Sequence, residues 1–540
     1  MRQTLPSTKD STVAQNISRS MLVAWFVGAL ASTANGVEFV VAIDPQLAPS
    51  PLSGRLLVFL STGTAEPRSG PNWFHCEPFF GVDVRQFSAA SVQLVDARAD
   101  GFPTPLDRLA PGHYRAQAVL NVGDSPHAGR GEGNLYGPIV EFDVPQPGQE
   151  RSSAPLALQL DKVVNRVPPP VPAWAKRLVI ASPLLSTFHG RPIEQRALVV
   201  LPSSYDQEPT RRYPVVYLIS GFGGSEDEGL RHPAPPAAKE GEVELIRVYL
   251  NAQCRWGHHV FADSATNGPR GRALVEELIP AVDARFRTVP VATARFVSGH
   301  SSGGWASLWL QISYPDLFGG TWSTAPDPVD FHDWQQVDLY AAGENMYRDH
   351  QEKRRPIARS GDQPVLWYDD FARMDDVLGV GGQLRSFEAV FSPLDEHGLP
   401  RRLWDRQTGA IDASVAEAWR AYDIRLKLER EWPTLGPKLR GKLHVATGSL
   451  DTFYLDGAVR RLAGSLAHLG SDAVVEIVAG RNHANLLDDE RLSAMRRQMA
   501  RSFLAHHEPS GTPKTAHIIA TPDQGMASPA KNPSPSVTAK

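Results

Sequence analysis

Cysteine is nearly missing from this chain: Cys76 and Cys254 are the only two in 540 residues. That excludes a disulfide-stapled scaffold and any metal centre built on clustered thiolates. In an oxidising compartment the two have one bridge open to them, tying the N-terminal region to the main domain; two separate thiols is the other reading. An excess of one charge is missing as well. Lys and Arg number 55 against 59 Asp and Glu, a net charge of -4 with histidine neutral, and neither sign forms a long run. Nucleic-acid binding needs a basic surface for phosphates, so that class is set aside. No apolar run reaches the ~18 residues that a membrane-spanning helix needs. Nor does any H-E-x-x-H or Cys-rich spacing mark a metal centre. The adjacent His258 and His259 point apart on an extended segment and share no ion. Neither a metal nor an organic cofactor is expected.

What is present begins at the N-terminus. Lys9 and Arg19 precede a short apolar stretch at residues 21–31, followed by Ser32-Thr33-Ala34. A basic region, a short apolar region and a small-residue site make an export signal over residues 1–34. A secreted or periplasmic location follows as an expectation, with no integral membrane span after the signal is removed.

The rest divides by pattern. Residues 35–165 read as short strands (37–43, 55–60, 91–95, 113–120, 139–144 and 156–160) between Gly/Pro/Asp turns, which predicts a small Ig-like β-sandwich. Val167-Pro168-Pro169-Pro170-Val171-Pro172 marks a semi-rigid linker over residues 166–176. From 177 to 507 strands alternate with helices, which predicts an α/β fold with a doubly wound, mostly parallel sheet. Residues 327–437, rich in Trp, Asp, Arg and Gly with one helical stretch near 415–432, read as an insertion. Gly379-Val380-Gly381-Gly382 within it follows no strand, so it is a turn rather than a phosphate loop. Residues 508–540 have the composition of a disordered tail.

The chain is organised around residues 294–314. A short β-type run leads into Gly299-His300-Ser301-Ser302-Gly303, a match to G-x-S-x-G, and a helical pattern with Trp305, Leu308, Leu310 and Ile312 follows. A strand that turns sharply into a helix at a serine needs glycine on both sides, because any Cβ there strikes a neighbouring element. The turn exposes Ser301 Oγ near a helix N-terminus, where backbone N–H groups face a developing oxyanion. A nucleophilic serine needs a base, and the base an orienting acid. The strand at 442–446 ends in Thr447-Gly448-Ser449-Leu450-Asp451, and the strand at 474–478 ends in Ala479-Gly480-Arg481-Asn482-His483. Asp451 and His483 thus follow Ser301 in the chain order of this topology, each at the carboxyl end of its own strand. Asp456 is the rival acid, placed to cap the next helix. Ser302 N–H and Phe222 N–H, the latter in the glycine-rich residues 221–224, are the expected oxyanion donors.

Several motifs occur in one order: Leu201-Pro202-Ser203-Ser204-Tyr205-Asp206, Tyr213-Pro214-Val215-Val216-Tyr217-Leu218, the glycine-rich loop, Phe261-Ala262-Asp263-Ser264, Asn267-Gly268-Pro269, the elbow, and Tyr314-Pro315-Asp316-Leu317-Phe318. Over about residues 177–507 the chain resembles the esterase D/enterochelin esterase-like family of α/β-hydrolases. The resemblance implies Ser301 as nucleophile, Asp451 as acid, His483 as base, and Phe222 and Ser302 as oxyanion donors. That family includes feruloyl and acetylxylan esterases, siderophore esterases, S-formylglutathione hydrolases and mycolyltransferases. Two departures stand out: Ser220 takes the place of the usual histidine before the oxyanion glycine, and the insertion before Asp451 is long. The expectation is an exported serine hydrolase that cleaves a small or polymer-linked carboxylic ester through an acyl-enzyme. Asp263, Trp305 and the insertion are expected to shape the substrate pocket, with a core role open for Trp305. Two rivals remain: an acyltransferase using the same acyl-enzyme, and a non-catalytic glycan- or partner-binding protein on a hydrolase scaffold.

Overall fold

The computed structural model describes residues 36–123, 125–149, 154–236 and 243–507; the expected export signal and C-terminal tail lie outside them. The N-terminal region is β-rich. Its strands are β1 (Phe39–Ile43), β2 (Leu52–Ser61), β3 (Phe79–Phe87), β4 (Val92–Val95), β5 (Asp100–Phe102), β6 (Gly112–Asn121), β7 (Leu135–Tyr136), β8 (Val140–Val144), β9 (Leu156–Leu160) and β10 (Lys162–Val163). β4, β1 and β9 form one sheet, and the other seven form a second. Strand alternation decides what each face covers. Leu56, Val58 and Leu60 of β2 join Phe39, Val41 and Leu158 of the smaller sheet in one cluster. Leu57 and Phe59 point the other way, into the cluster that also holds the core of the main sheet. The larger sheet is therefore buried on both faces, which explains the unbroken apolar run at residues 56–60.

The main sheet has β11 (Ala175–Ala181), β12 (Glu194–Val200), β13 (Val215–Ile219), β14 (Ile246–Leu250), β15 (Arg295–His300), β16 (Gly320–Thr324), β19 (Leu443–Gly448) and β20 (Val474–Val478). Their order is β11-β12-β14-β13-β15-β16-β19-β20. The pairings from β14 through β20 are parallel, and β11 and β12 add on antiparallel. β11 starts at Ala175, inside the stretch expected to be linker. Besides a single helical turn at Arg270–Ala273, the helices among the described residues are α1 (Pro183–His189), α2 (Ile279–Arg285), α3 (Ser302–Ser313), α4 (Tyr368–Leu378), α5 (Gln383–Phe391), α6 (Ala413–Trp419), α7 (Ile424–Leu439), α8 (Asp456–His468) and α9 (Asp489–His507). A π-type stretch at Leu274–Leu278 leads into α2. Among the described residues no helix is long and apolar enough to cross a membrane.

Residues 327–437 are more ordered than their composition implied. They hold a hairpin of β17 (Pro356–Ser360) and β18 (Gln363–Trp367) and the helices α4 to α7, not one helical stretch. Phe331, Trp334, Phe387, Phe391 and Trp419 pack ring against ring here, for example Trp334 on Trp419 with centroids 5.1 Å apart. The turn Gly379-Val380-Gly381-Gly382 joins α4 to α5. Gly381 has φ +91°, and a Cβ there would lie 2.2 Å from Pro126 O in the N-terminal region. Cys76 and Cys254 are both thiols, not a disulfide.

Candidate active site

β15 delivers the chain to Ser301, whose φ of 59° and ψ of -125° are rare for a side chain with a Cβ. Such a backbone costs about 1–3 kcal/mol and survives only where the surroundings fix it. They do so here. Ser301 N–H donates to Thr324 O at 3.0 Å, and Ser301 O accepts from Trp305 N–H at 3.0 Å and Asp327 N–H at 3.2 Å. A Cβ on Gly299 would lie 2.0 Å from Gly303 O, and one on Gly303 would lie 2.0 Å from Ile219 O. Both glycines are therefore required by contact with backbone that cannot move aside.

β19 ends in the turn that carries Asp451. Its side chain is fully buried, and its Oδ1 accepts the N–H of Phe453 at 2.9 Å. Its other oxygen lies 2.8 Å from His483 Nδ1, at the end of β20. The carboxylate only accepts, so Nδ1 carries the proton and Nε2 is left with its lone pair. Phe453 packs edge-on against the His483 ring at 5.0 Å. Asp456, the rival, pairs instead with Arg359 at 2.8 Å and Arg460 at 3.4 Å. It is the first residue of α8 rather than its cap, which is Leu455.

Ser301 and His483 line one cavity, and the His300 ring sits 4.7 Å from that of His483. Among the described residues no hydrogen bond joins Ser301 to His483. Close to Ser301 is Asp327, a residue the sequence reading passed over. Asp327 is fully buried in the same cavity wall and accepts the Ser302 hydroxyl at 2.5 Å. Burial pushes its carboxyl up to about 6, against the pull of the Ser302 hydroxyl and the nearby His483. Its lone sequence context, a proline-flanked Asp after β16, carries no motif that signals this position.

The glycine-rich loop abuts Ser301: a Cβ on Gly221 would lie 3.1 Å from Ser301 Cβ. Phe222 lines the cavity, and Ser302 opens α3, where first-turn amides lack intrahelical acceptors. His258 secures this loop. Its Nδ1 accepts Val260 N–H at 3.1 Å, so Nε2–H donates to Ser220 O at 3.0 Å. Burial lowers its pKa to about 4, which keeps it neutral. His259 uses its own Nδ1 on Phe261 N–H at 3.2 Å. Among the described residues the one group placed to hold a metal is Asp330, His332 and Asp423. Arg425 and Arg461 already engage Asp330 at 2.7 and 2.5 Å.

Two expected pocket residues are elsewhere. Asp263 is exposed, and its Oδ1 accepts the N–H groups of Gly271 at 2.7 Å and Arg272 at 3.1 Å. These N–H groups belong to the first turn of the short helix Arg270–Ala273, where amides have no intrahelical acceptor. Trp305 is 1% exposed and stacks on Trp309 at 5.2 Å in the core beneath the elbow. Neither lines the cavity.

Residues 192–456 match the family model "Putative esterase". The chain is an esterase. The matched stretch contains Ser301 and Asp451 and ends before His483. Three solved structures similar to this esterase are a ferulic acid esterase (14% identity, TM-score 0.37), an S-formylglutathione hydrolase from Agrobacterium tumefaciens (14%, 0.36) and the substrate-bound fluorophosphonate-binding serine hydrolase F of Staphylococcus aureus (14%, 0.36). Each alignment covers 61% of this chain and 98% of the other. Through this match the chain is a carboxylic ester hydrolase.

Proposed function

We propose that this esterase works through Ser301, His483 and Asp451. The observation that carries the reading is the strained backbone of Ser301, held at a strand-to-helix turn in the cavity that also presents the Asp451-bound His483. The Ser301 hydroxyl bonds Asp327, and a rotation about the Cα–Cβ bond turns it toward Nε2; apo geometries of this kind commonly tighten on substrate binding. His483 Nε2 takes the hydroxyl proton as Ser301 Oγ attacks the acyl carbonyl. The N–H groups of Phe222 and Ser302 hold the oxyanion, and Asp451 steadies the imidazolium. His483 returns the proton to the departing alcohol. Water, deprotonated by the same imidazole, then releases the acid. We read the two N-terminal sheets as a sandwich over residues 35–165, joined by a linker at 166–176 to a hydrolase domain at 177–507. Residues 1–34 are read as an export signal; a mature secreted protein beginning before residue 34 would end that reading.

The test is labelling with a fluorophosphonate probe, paired with hydrolysis of simple esters. Wild type takes up the probe and releases acid, and Ser301→Ala loses both. Labelling that persists in Ser301→Ala refutes the assignment of the nucleophile.

A further inference from the structure

Among the described residues, the N-terminal region reaches the catalytic cavity through a single loop. Asn72 shapes it: its Oδ1 accepts the N–H groups of Phe74 at 3.0 Å and His75 at 3.1 Å. The next residue, Trp73, is held out from the β-rich region and lines the same cavity as Ser301 and His483. It meets three rings, each from a different part of the hydrolase. Phe222, of the loop beside the nucleophile, is 5.8 Å away centroid to centroid. Phe371, from α4, stands edge-on at 5.0 Å. Phe453, which packs on His483, is edge-on at 6.1 Å. The indole thus meets the oxyanion loop directly, through Phe222, and is one ring removed from the base.

Such a wall has a chemical consequence. Between these rings the cavity offers ring faces and apolar edges, with Leu366 and Ile357 of the hairpin beyond them. A small acyl or alkyl group leaves that surface wet, whereas a bulky apolar group covers it. We infer that Trp73 is a specificity-determining residue, through which the N-terminal region selects esters carrying a bulky apolar group. The inference rests on the serine-esterase reading above, and no charged partner for the substrate is required by it.

The experiment compares ethyl acetate, ethyl octanoate and 2-naphthyl acetate as substrates of the full chain, followed by pH-stat. In Trp73→Ala the ratio of kcat/KM for a bulky ester to that for ethyl acetate falls on the order of tenfold, mostly through KM. Trp73→Phe restores most of the ratio. Trp73→Leu, which keeps an apolar side chain without a large ring, covers the case in which the alanine variant fails to fold; it lowers the ratio as well. If ratios in the folded variants equal those of wild type, the inference is wrong while the triad stands. Hydrolysis by wild type that survives Ser301→Ala unaltered overturns both.

Discussion

At the scale of single residues the two rival acids after β19, Asp451 and Asp456, make the sharpest contrast. Asp451 is buried and bonded to Nδ1, whereas Asp456 spends its oxygens on Arg359 and Arg460. Asparagine at 451 keeps the shape but presents an N–H or a weaker acceptor to the ring, which favours the wrong tautomer. Asp451→Asn should therefore lower kcat by on the order of 10³–10⁴-fold with little change in KM. Asp456→Asn should leave kcat close to wild type and cost about 1 kcal/mol of stability from the loosened Arg359 pair. Steady-state kinetics on one simple ester separates the two; the reverse ranking would exchange their roles. Ser301, Asp451 and His483 were legible because each follows its own strand, so that topology alone brings them to one edge. Asp327 was not, since what marks it is burial against Ser302, a fact about packing and not about spacing.

Among the elements, α4 and α5 show why residues 327–437 were read as an insertion with only one helical stretch. Asp369, Asp370, Asp375 and Asp376 interrupt the apolar pattern of α4, yet Tyr368, Phe371, Ala372, Met374 and Val377 form its buried side. Asp375 faces inward with them for a specific task. Its Oδ2 accepts Arg385 N–H at 3.0 Å in the first turn of α5, and a Cβ on Gly382 would lie 1.7 Å from its Oδ1. Burial pushes this carboxyl up to about 7. In the unfolded chain it titrates near the ordinary ~3.9. Between those values the native state holds a proton that the unfolded state has released, so this group's contribution to stability is full below about pH 4 and fades as pH rises through about 7. Asp375→Asn keeps an acceptor at the helix start and removes the titration. The stability of the variant relative to wild type should thus improve from pH 4.5 to pH 7.5, measured as the difference in urea midpoints. A relative stability that stays flat or worsens over that range would show that Asp375 ionises freely in the native state. The buried neutral His258 and His300, both lowered to about 4 by burial, act in the opposite sense, and the comparison with wild type cancels them.

For the whole molecule the question is what holds the N-terminal region against the hydrolase. The short strands and the proline run led to a reading of two units, but they gave no sign of the contact between them. Proximity of this kind depends on residues hundreds of positions apart. Arg55 is the clearest of them. It is 7% exposed on β2, and its guanidinium donates to Val377 O from Nε at 3.1 Å and from Nη2 at 3.0 Å, at the end of α4. Asp100 and Asp83 hold the same group at 2.6 and 3.2 Å. Those two carboxylates are largely exposed, so water replaces their partner cheaply once Arg55 is gone. Val377 O is buried in the interface and would be left without its donor. Arg55→Met, which keeps most of the stem, should cost about 1–3 kcal/mol for that reason. The loss has a second readout, because α4 also carries Phe371, the edge-on neighbour of Trp73. If Arg55 fixes the two regions to each other, its removal loosens that wall, and KM for ethyl octanoate should rise more than KM for ethyl acetate. A variant that loses stability with both KM values unchanged would mean that Arg55 supports only the β-rich region, and that the placement of Trp73 is secured by its ring contacts alone.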